Sequence, residues 1–285
     1  MAFVEILKAV FFGIIEGITE WLPISSTGHL ILVNEFVKLR CSDEFLEMFE
    51  VVIQLGAVLA VVLLFWNKLW PFTSKENGYY KRGTVVLWMK ILVACLPAVI
   101  IGLPLDNISQ KYFYNGLSVA VMLILFGVAF IVIENRNKGA VPKVTSVNKI
   151  SFLDALIIGG FQLIAAVFPG TSRSGATIVG SLMLGISRPA ATQFTFFLAV
   201  PAMAGASLLK IVKFIASDAS ITGTEIAVLL FGFIVSFIVS LFAIKFLLKY
   251  IRRHDFKIFG YYRIILGIIV FLYFIVKVIS TGSLF

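Results

Sequence analysis

Glu16 and Glu20 sit four residues apart in an apolar stretch, which places two carboxylates on one face of a short helix. Paired acids suit a hard divalent cation such as Mg²⁺ or Ca²⁺, which takes oxygen ligands and completes its shell with phosphate and water. Past the helix-breaking Pro23 come the hydroxyls of Ser25, Ser26 and Thr27 and the imidazole of His29. Each hydroxyl suits either a helix cap or a phosphate contact, and the imidazole suits a nucleophile, a general acid or base, or a core contact. A second polar cluster follows Pro169 and Gly170, with Ser172, Ser174 and Thr177 as donors around Arg173. The Arg173 guanidinium is a planar fork matched to phosphate oxygens and equally able to pair with Glu16 or Glu20. Together the clusters are equipped to hold a phosphate and a metal.

The surrounding chain dictates where such chemistry happens. Of 285 residues 60% are hydrophobic and only 14% charged, and the mean hydropathy is +1.03, far from the balance of a water-soluble domain. A polytopic, all-α membrane protein is expected, with no soluble domain, because the longest polar connections run only over about 68–83 and 134–149. The formal charge of +9 sits in short loops, which points to topology signals and lipid headgroups and away from nucleic acid. Cys41 and Cys95 are too few for a disulfide framework or metal cluster. The apolar start, 2–15, is expected to be retained, since it runs into Glu16 without a cleavage site.

Six stretches suffice to cross a bilayer as helices: 48–66, 85–103, 115–133, 191–212, 225–247 and 260–279. Regions 2–37 and 150–187 each read instead as a short helix, a Gly/Pro/Ser-rich break and another short helix, the pattern of a re-entrant hairpin. A shift of about 146 positions lays Pro23 on Pro169, Gly13 on Gly159, Ser26 on Ser172 and Glu16 on Gln162, with three spans after each hairpin. Because three is odd, a duplicated half must lie upside down relative to its twin. The expectation is one integral membrane domain, 1–285, built of inverted repeats over about 1–135 and 150–285, with paired broken helices meeting near the midplane. Lys68, Lys75, Lys81 and Arg82, then Arg136, Lys138, Lys143 and Lys149, then Lys249, Arg252, Arg253, Lys257 and Arg263 mark three cytoplasmic loops, against a weaker outer set of Lys38, Arg40, Lys210 and Lys213. Trp66, Trp70, Trp88, Tyr79 and Tyr80 read as an interfacial belt.

The first cluster resembles the E-G-x-T-E-[aromatic]-L-P-x-S-S-T-G-H signature, and the second the P-G-x-S-R-S-G-A-T signature, of the bacterial undecaprenyl-diphosphatase (bacitracin-resistance) family. Phe259, Tyr262, Arg263 and Gly267 resemble that family's ending, so the likeness covers essentially the whole chain; Trp21 departs from the usual Phe. The resemblance implies removal of the terminal phosphate of undecaprenyl diphosphate, a carrier lipid of cell-wall synthesis, in the bacterial plasma membrane. It implies Glu16, Glu20, Ser26, His29 and Arg173 as catalytic residues, with Glu16 and Glu20 holding Mg²⁺ or Ca²⁺. Ser25, Thr27, Ser172, Arg173, Ser174 and Thr177 are then the substrate-binding set. Ser26 and His29 stay equal candidates for nucleophile. The expected partners are the polyprenyl diphosphate and bilayer lipids, with a second copy of the chain as a candidate. The rival reading is a flippase or secondary transporter, because broken helices in inverted repeats also build those.

Overall fold

The computed structural model describes residues 2–73, 79–216 and 221–281. It is all-helical: α1 (Ala2–Thr19), α2 (Ser26–Phe36), α3 (Asp43–Leu64), α4 (Trp66–Leu69), α5 (Arg82–Pro97), α6 (Leu103–Tyr112), α7 (Gly116–Arg136), α8 (Phe152–Val167), α9 (Arg173–Met183), α10 (Arg188–Ala216), α11 (Gly223–Tyr250) and α12 (Lys257–Thr281). A widened turn, Ala98–Gly102, joins α5 to α6 just after Pro97, where proline lacks an N–H and its ring crowds the preceding turn. Among the described residues six continuous helical stretches are long and apolar enough to span a bilayer, and each overlaps one of the six expected spans. Helix starts follow local chemistry: Ser151 and Thr222 form capping boxes with Asp154 and Glu225, and Ser42 and Asn115 cap α3 and α7.

The distribution of side chains is that of a membrane bundle. Ile100, Leu125, Phe242 and Val276 on the spans face outward, while Glu16, Thr177 and Arg263 are fully buried. With lipid outside there is little hydrophobic drive between helices, so close backbone approach and interhelical hydroxyl bonds hold them. Accordingly, Ser207 donates to Val51 O at 3.2 Å, Ser236 to Ile53 O at 2.8 Å and Ser240 to Gly17 O at 3.3 Å. α7 packs along α12, α1 along α11, α3 against both α11 and α10, and α5 along α8.

Two details of the charge reading change. Lys75 lies outside the described residues. Arg263 is not a loop charge: it sits within α12 with no exposed surface, so it carries no topology signal, and the third basic loop keeps Lys249, Arg252, Arg253 and Lys257. Trp66 and Trp70 stack at 4.6 Å, and Trp88 Nε1 donates to Leu69 O at 2.8 Å, an arrangement suited to the expected belt. Cys41 and Cys95 are free thiols.

Candidate active site

Both polar clusters lie where a helix stops and another starts. α1 ends at Thr19 and α2 begins at Ser26; α8 ends at Val167 and α9 begins at Arg173. Each second helix is capped by a serine in the left-handed region, Ser25 at φ 75° and Ser172 at φ 67°, the two non-glycine residues with positive φ among those described. Such backbone is uncommon and strained outside glycine, and it concentrates at functional sites. Ser25 Oγ accepts from Gly28 N and Ser172 Oγ from Gly175 N, both at 3.2 Å. These two expected substrate-binding hydroxyls therefore cap helices, the alternative that their position near Pro23 and Pro169 had left open. One residue separates Pro23 from its cap Ser25, and two separate Pro169 from its cap Ser172.

The two breaks meet. Arg173 Nη2 donates to Glu20 Oε1 at 2.6 Å, an ion pair between residues 153 apart in sequence. The other Glu20 oxygen accepts from Ser26 Oγ at 2.6 Å, and Ser174 Oγ donates to the Glu20 backbone carbonyl at 3.3 Å. Glu20 is thus the hub of the junction, with one oxygen on each break. Arg173 Nη1 also donates to Thr195 O at 3.3 Å, and Nη2 lies 3.3 Å from Met203 Sδ. The ion pair and its attached hydroxyls are largely buried, so removing one partner is costly, on the order of 3–5 kcal/mol.

Glu16 differs sharply. It has no exposed surface and neither carboxylate oxygen has a hydrogen-bond partner among the described residues, although the fields of Glu20, Glu50 and Arg173 reach it. A buried carboxylate without donors is expensive, and a cation relieves that cost. The donor set fits a hard divalent metal: two acids one helical turn apart, one of them with both oxygens uncommitted. Among the described residues no three acidic, His or Cys side chains converge.

His29 stands one turn into α2. Its Nδ1 is 2.7 Å from Ser25 O and its Nε2 is 2.7 Å from Tyr262 Oη. A carbonyl oxygen only accepts, so Nδ1 carries a proton and, in the neutral ring, Nε2 accepts from the tyrosine hydroxyl. The imidazole and phenol rings are parallel, with centroids 5.8 Å apart. Thr27 is half-buried. Thr177 is fully buried and its hydroxyl is engaged by Arg173 O at 2.9 Å, Ser174 O at 3.2 Å and Thr195 Oγ1 at 2.8 Å, so it braces the first turn of α9.

Of the expected set, Ser26, Arg173 and Ser174 each contact Glu20, with Glu16 one turn before it. Comparison with known proteins supplies the family. The family model for bacitracin resistance protein BacA matches residues 9–269. The chain belongs to that family. It is 60% identical over 279 residues to the undecaprenyl-diphosphatase of Desulfitobacterium hafniense, covering 98% of this chain and 99% of that protein. Undecaprenyl-diphosphatase 1 of Clostridium acetobutylicum is 57% identical over 276 residues, covering 97% and 100%, and the undecaprenyl-diphosphatase of Enterococcus faecalis is 56% identical over 275 residues, covering 96% and 99%.

Beside the residues its motifs point to, this BacA-family chain brings Thr195, Met203, Tyr262 and Arg263 to the same junction. Thr195 and Met203 lie on an ordinary apolar span and carry no sequence signal. Tyr262 and Arg263 had one, as polar residues inside a stretch otherwise long enough to cross the bilayer.

Proposed function

We propose that this protein is an undecaprenyl-diphosphate phosphatase of the plasma membrane, releasing the terminal phosphate of its lipid substrate. The observation that carries the reading is the Ser26–Glu20–Arg173 chain: a hydroxyl, an acceptor for its proton and a guanidinium, joined across two helix breaks. Arg173 spends few of its five N–H donors on Glu20 and Thr195, leaving capacity for phosphate oxygens. Ser26 Oγ attacks the terminal phosphorus as its proton passes to Glu20 Oε2. The bond from that phosphorus to the bridging oxygen breaks, and undecaprenyl phosphate leaves. Glu20 returns that proton to the departing undecaprenyl phosphate; water then attacks the phosphoserine and gives a proton to Glu20, which passes it to Ser26 Oγ as the serine P–O bond breaks and inorganic phosphate departs. Phosphoryl transfer depends chiefly on such positioning and charge stabilisation.

Ser26 is preferred over His29 as nucleophile because the neutral imidazole has no free lone pair: Nδ1 is protonated toward Ser25 and Nε2 is occupied by Tyr262. His29 with Tyr262 is placed to supply or take up the proton of a phosphate oxygen. Mg²⁺ or Ca²⁺ would be held by Glu16 and the remaining lone pairs of Glu20, supplying charge neutralisation to the diphosphate. Ser174 and Thr27 are the hydroxyls proposed to face substrate, while Ser25, Ser172 and Thr177 shape the loops that present it. All these residues come from one chain, so a homodimer is not needed to complete the site.

We also propose that the halves are inverted repeats with re-entrant hairpins α1–α2 and α8–α9. Supporting this, Gly13 presses on the backbone of α11 and Gly159 on that of α5, where an added Cβ would meet Gly232 O at 2.6 Å and Ala94 O at 2.3 Å. α5 and α11 are the second spans of their halves, so each hairpin packs on the other half's second span, as a two-fold relation requires. First spans pair with each other, α3 on α10, and third spans likewise, α7 on α12.

The test is phosphate release from undecaprenyl diphosphate by purified protein in detergent, with Ser26→Ala and His29→Ala beside it. The expected result is metal-dependent release, lost in Ser26→Ala and weakened in His29→Ala. A pure flippase releases no phosphate, and a Ser26→Ala variant at full rate would sink the nucleophile assignment.

A further inference from the structure

Arg263 is the largest buried charge that the proposed chemistry leaves unused. It has no exposed surface, among the described residues no carboxylate lies within ion-pair distance of it, and its guanidinium carbon lies 5.8 Å from the centre of the Phe126 ring. Its acceptors are all backbone carbonyls. Nε donates to Leu123 O at 3.4 Å; Nη1 donates to Pro23 O at 3.2 Å; Nη2 is shared among Gly170 O at 2.9 Å, Thr171 O at 2.8 Å and Met122 O at 3.4 Å. Leu123 and Met122 belong to α7, Pro23 to the first break, and Gly170 and Thr171 to the second.

Breaking a helix at membrane depth frees carbonyls that lipid cannot satisfy, and Arg263 is where three of them converge from both breaks. The attachment points lie close to the reacting groups. Pro23 is three residues past Glu20 and three before Ser26, and Thr171 is two before Arg173. The fit is tight: Gly170, at φ 88°, would carry a Cβ 2.6 Å from Val119 O, and a Cβ on Gly175 would come within 3.0 Å of Arg263 Nη1.

We infer that Arg263 is a positioning residue for the phosphatase reaction: its planar fork ties the two helix breaks to each other and to α7, and so fixes Glu20 and Ser26 against Arg173. The role rests on the functional reading above, and it acts through that cluster without touching substrate. An ammonium keeps the charge but presents one donor centre where the fork spans three strands of backbone, so lysine cannot restore the spacing.

The experiment compares wild-type protein with Arg263→Lys, measuring kcat and KM per folded molecule, with the folded fraction taken from monodispersity and thermal midpoint. A misplacement of about 1 Å costs on the order of 10²-fold in rate. The lysine variant is therefore expected to lose about 10²-fold in kcat, with KM changed less than about threefold. In Arg263→Ala, added guanidinium is expected to restore part of the lost kcat, and methylammonium is not. The inference is overturned by a lysine variant within about twofold of wild-type kcat, by a loss confined to KM, or by a loss that vanishes once scaled to folded protein. Failure of both variants to fold overturns it as well, since Arg263 is then an element of stability only. Wild-type protein that releases no phosphate would sink the functional reading instead, which keeps the two failures apart.

Discussion

Replacing Glu16 by glutamine removes a charge and almost no volume from a site where neither carboxylate oxygen has a donor. Leaving a buried polar group unsatisfied costs about 1–3 kcal/mol, and more when it is charged. With chelator present, Glu16→Gln is therefore expected to unfold at or above the wild-type midpoint, each kcal/mol being worth about 2–4 °C in domains of moderate size. A divalent cation reverses the comparison. At a free concentration about 100 times its Kd, a ligand stabilises the folded state by ~2.7 kcal/mol, which moves the wild-type midpoint up by about 5–10 °C. The glutamine variant, without its charged ligand, is expected to move by less than about 2 °C under the same conditions. Thermal unfolding in detergent, with Mg²⁺ and Ca²⁺ titrated after chelation, reads both effects without reference to turnover. Phosphate release is expected to fall by at least about 10²-fold in parallel. If Glu16→Gln keeps the full metal-induced shift, or is clearly less stable than wild type in chelator, the cation is held elsewhere and the reasoning from the orphaned carboxylate fails.

Glu20→Gln is expected to lower activity by about 10³-fold or more, since it removes both the acceptor for the Ser26 proton and the partner of Arg173; a variant retaining a tenth of wild-type kcat speaks against Glu20 as the hub. Arg173→Ala is expected to abolish phosphate release while the protein still reaches the membrane, and full turnover with added Mg²⁺ contradicts the guanidinium clamp. Tyr262→Phe deletes the hydroxyl bound to His29 Nε2 and is expected to reduce kcat about tenfold with little change in KM; an unaltered kcat excludes the pair from proton transfer. Cysteines introduced at Lys143 and Arg253, after removal of Cys41 and Cys95, are expected to react with impermeant reagent only from the cytoplasmic side, and labelling of intact cells from outside reverses the topology.

Much of the fold was legible because the bilayer reduces the problem to length and polarity. Among the described residues the six apolar runs became six continuous helical stretches, and the interruptions at Pro23 and Pro169 became breaks, since a backbone spanning lipid has few alternatives to an unbroken helix. The charge reading failed at one residue. Arg263 lies only six residues beyond Lys257 at the start of α12, and hydropathy averaged over a window cannot tell a helix's first exposed turn from a buried guanidinium one face around. The hydroxyls were ambiguous for a different reason. Ser25, Ser172 and Thr177 have the same side-chain chemistry as Ser26 and Ser174, and only backbone direction decides which ones turn back to satisfy helix N–H groups or carbonyls.

The sequence by itself determined the elements and the chemical inventory: which stretches are helical, where they break, and that acids, hydroxyls, an imidazole and a guanidinium are concentrated at those breaks. Those outcomes follow from local properties, namely side-chain polarity, the fixed φ and missing N–H of proline, and the cost of charge in lipid. Tertiary structure alone decided the pairings: Glu20 with Arg173 across 153 residues, His29 with Tyr262 across 233, Arg263 on carbonyls of three separate segments, and Glu16 without a hydrogen-bond partner among the described residues. Such contacts are set by how helices pack on one another through glycines and hydroxyls, and the free energy of that packing is spread over the whole bundle, so no single stretch of sequence encodes it.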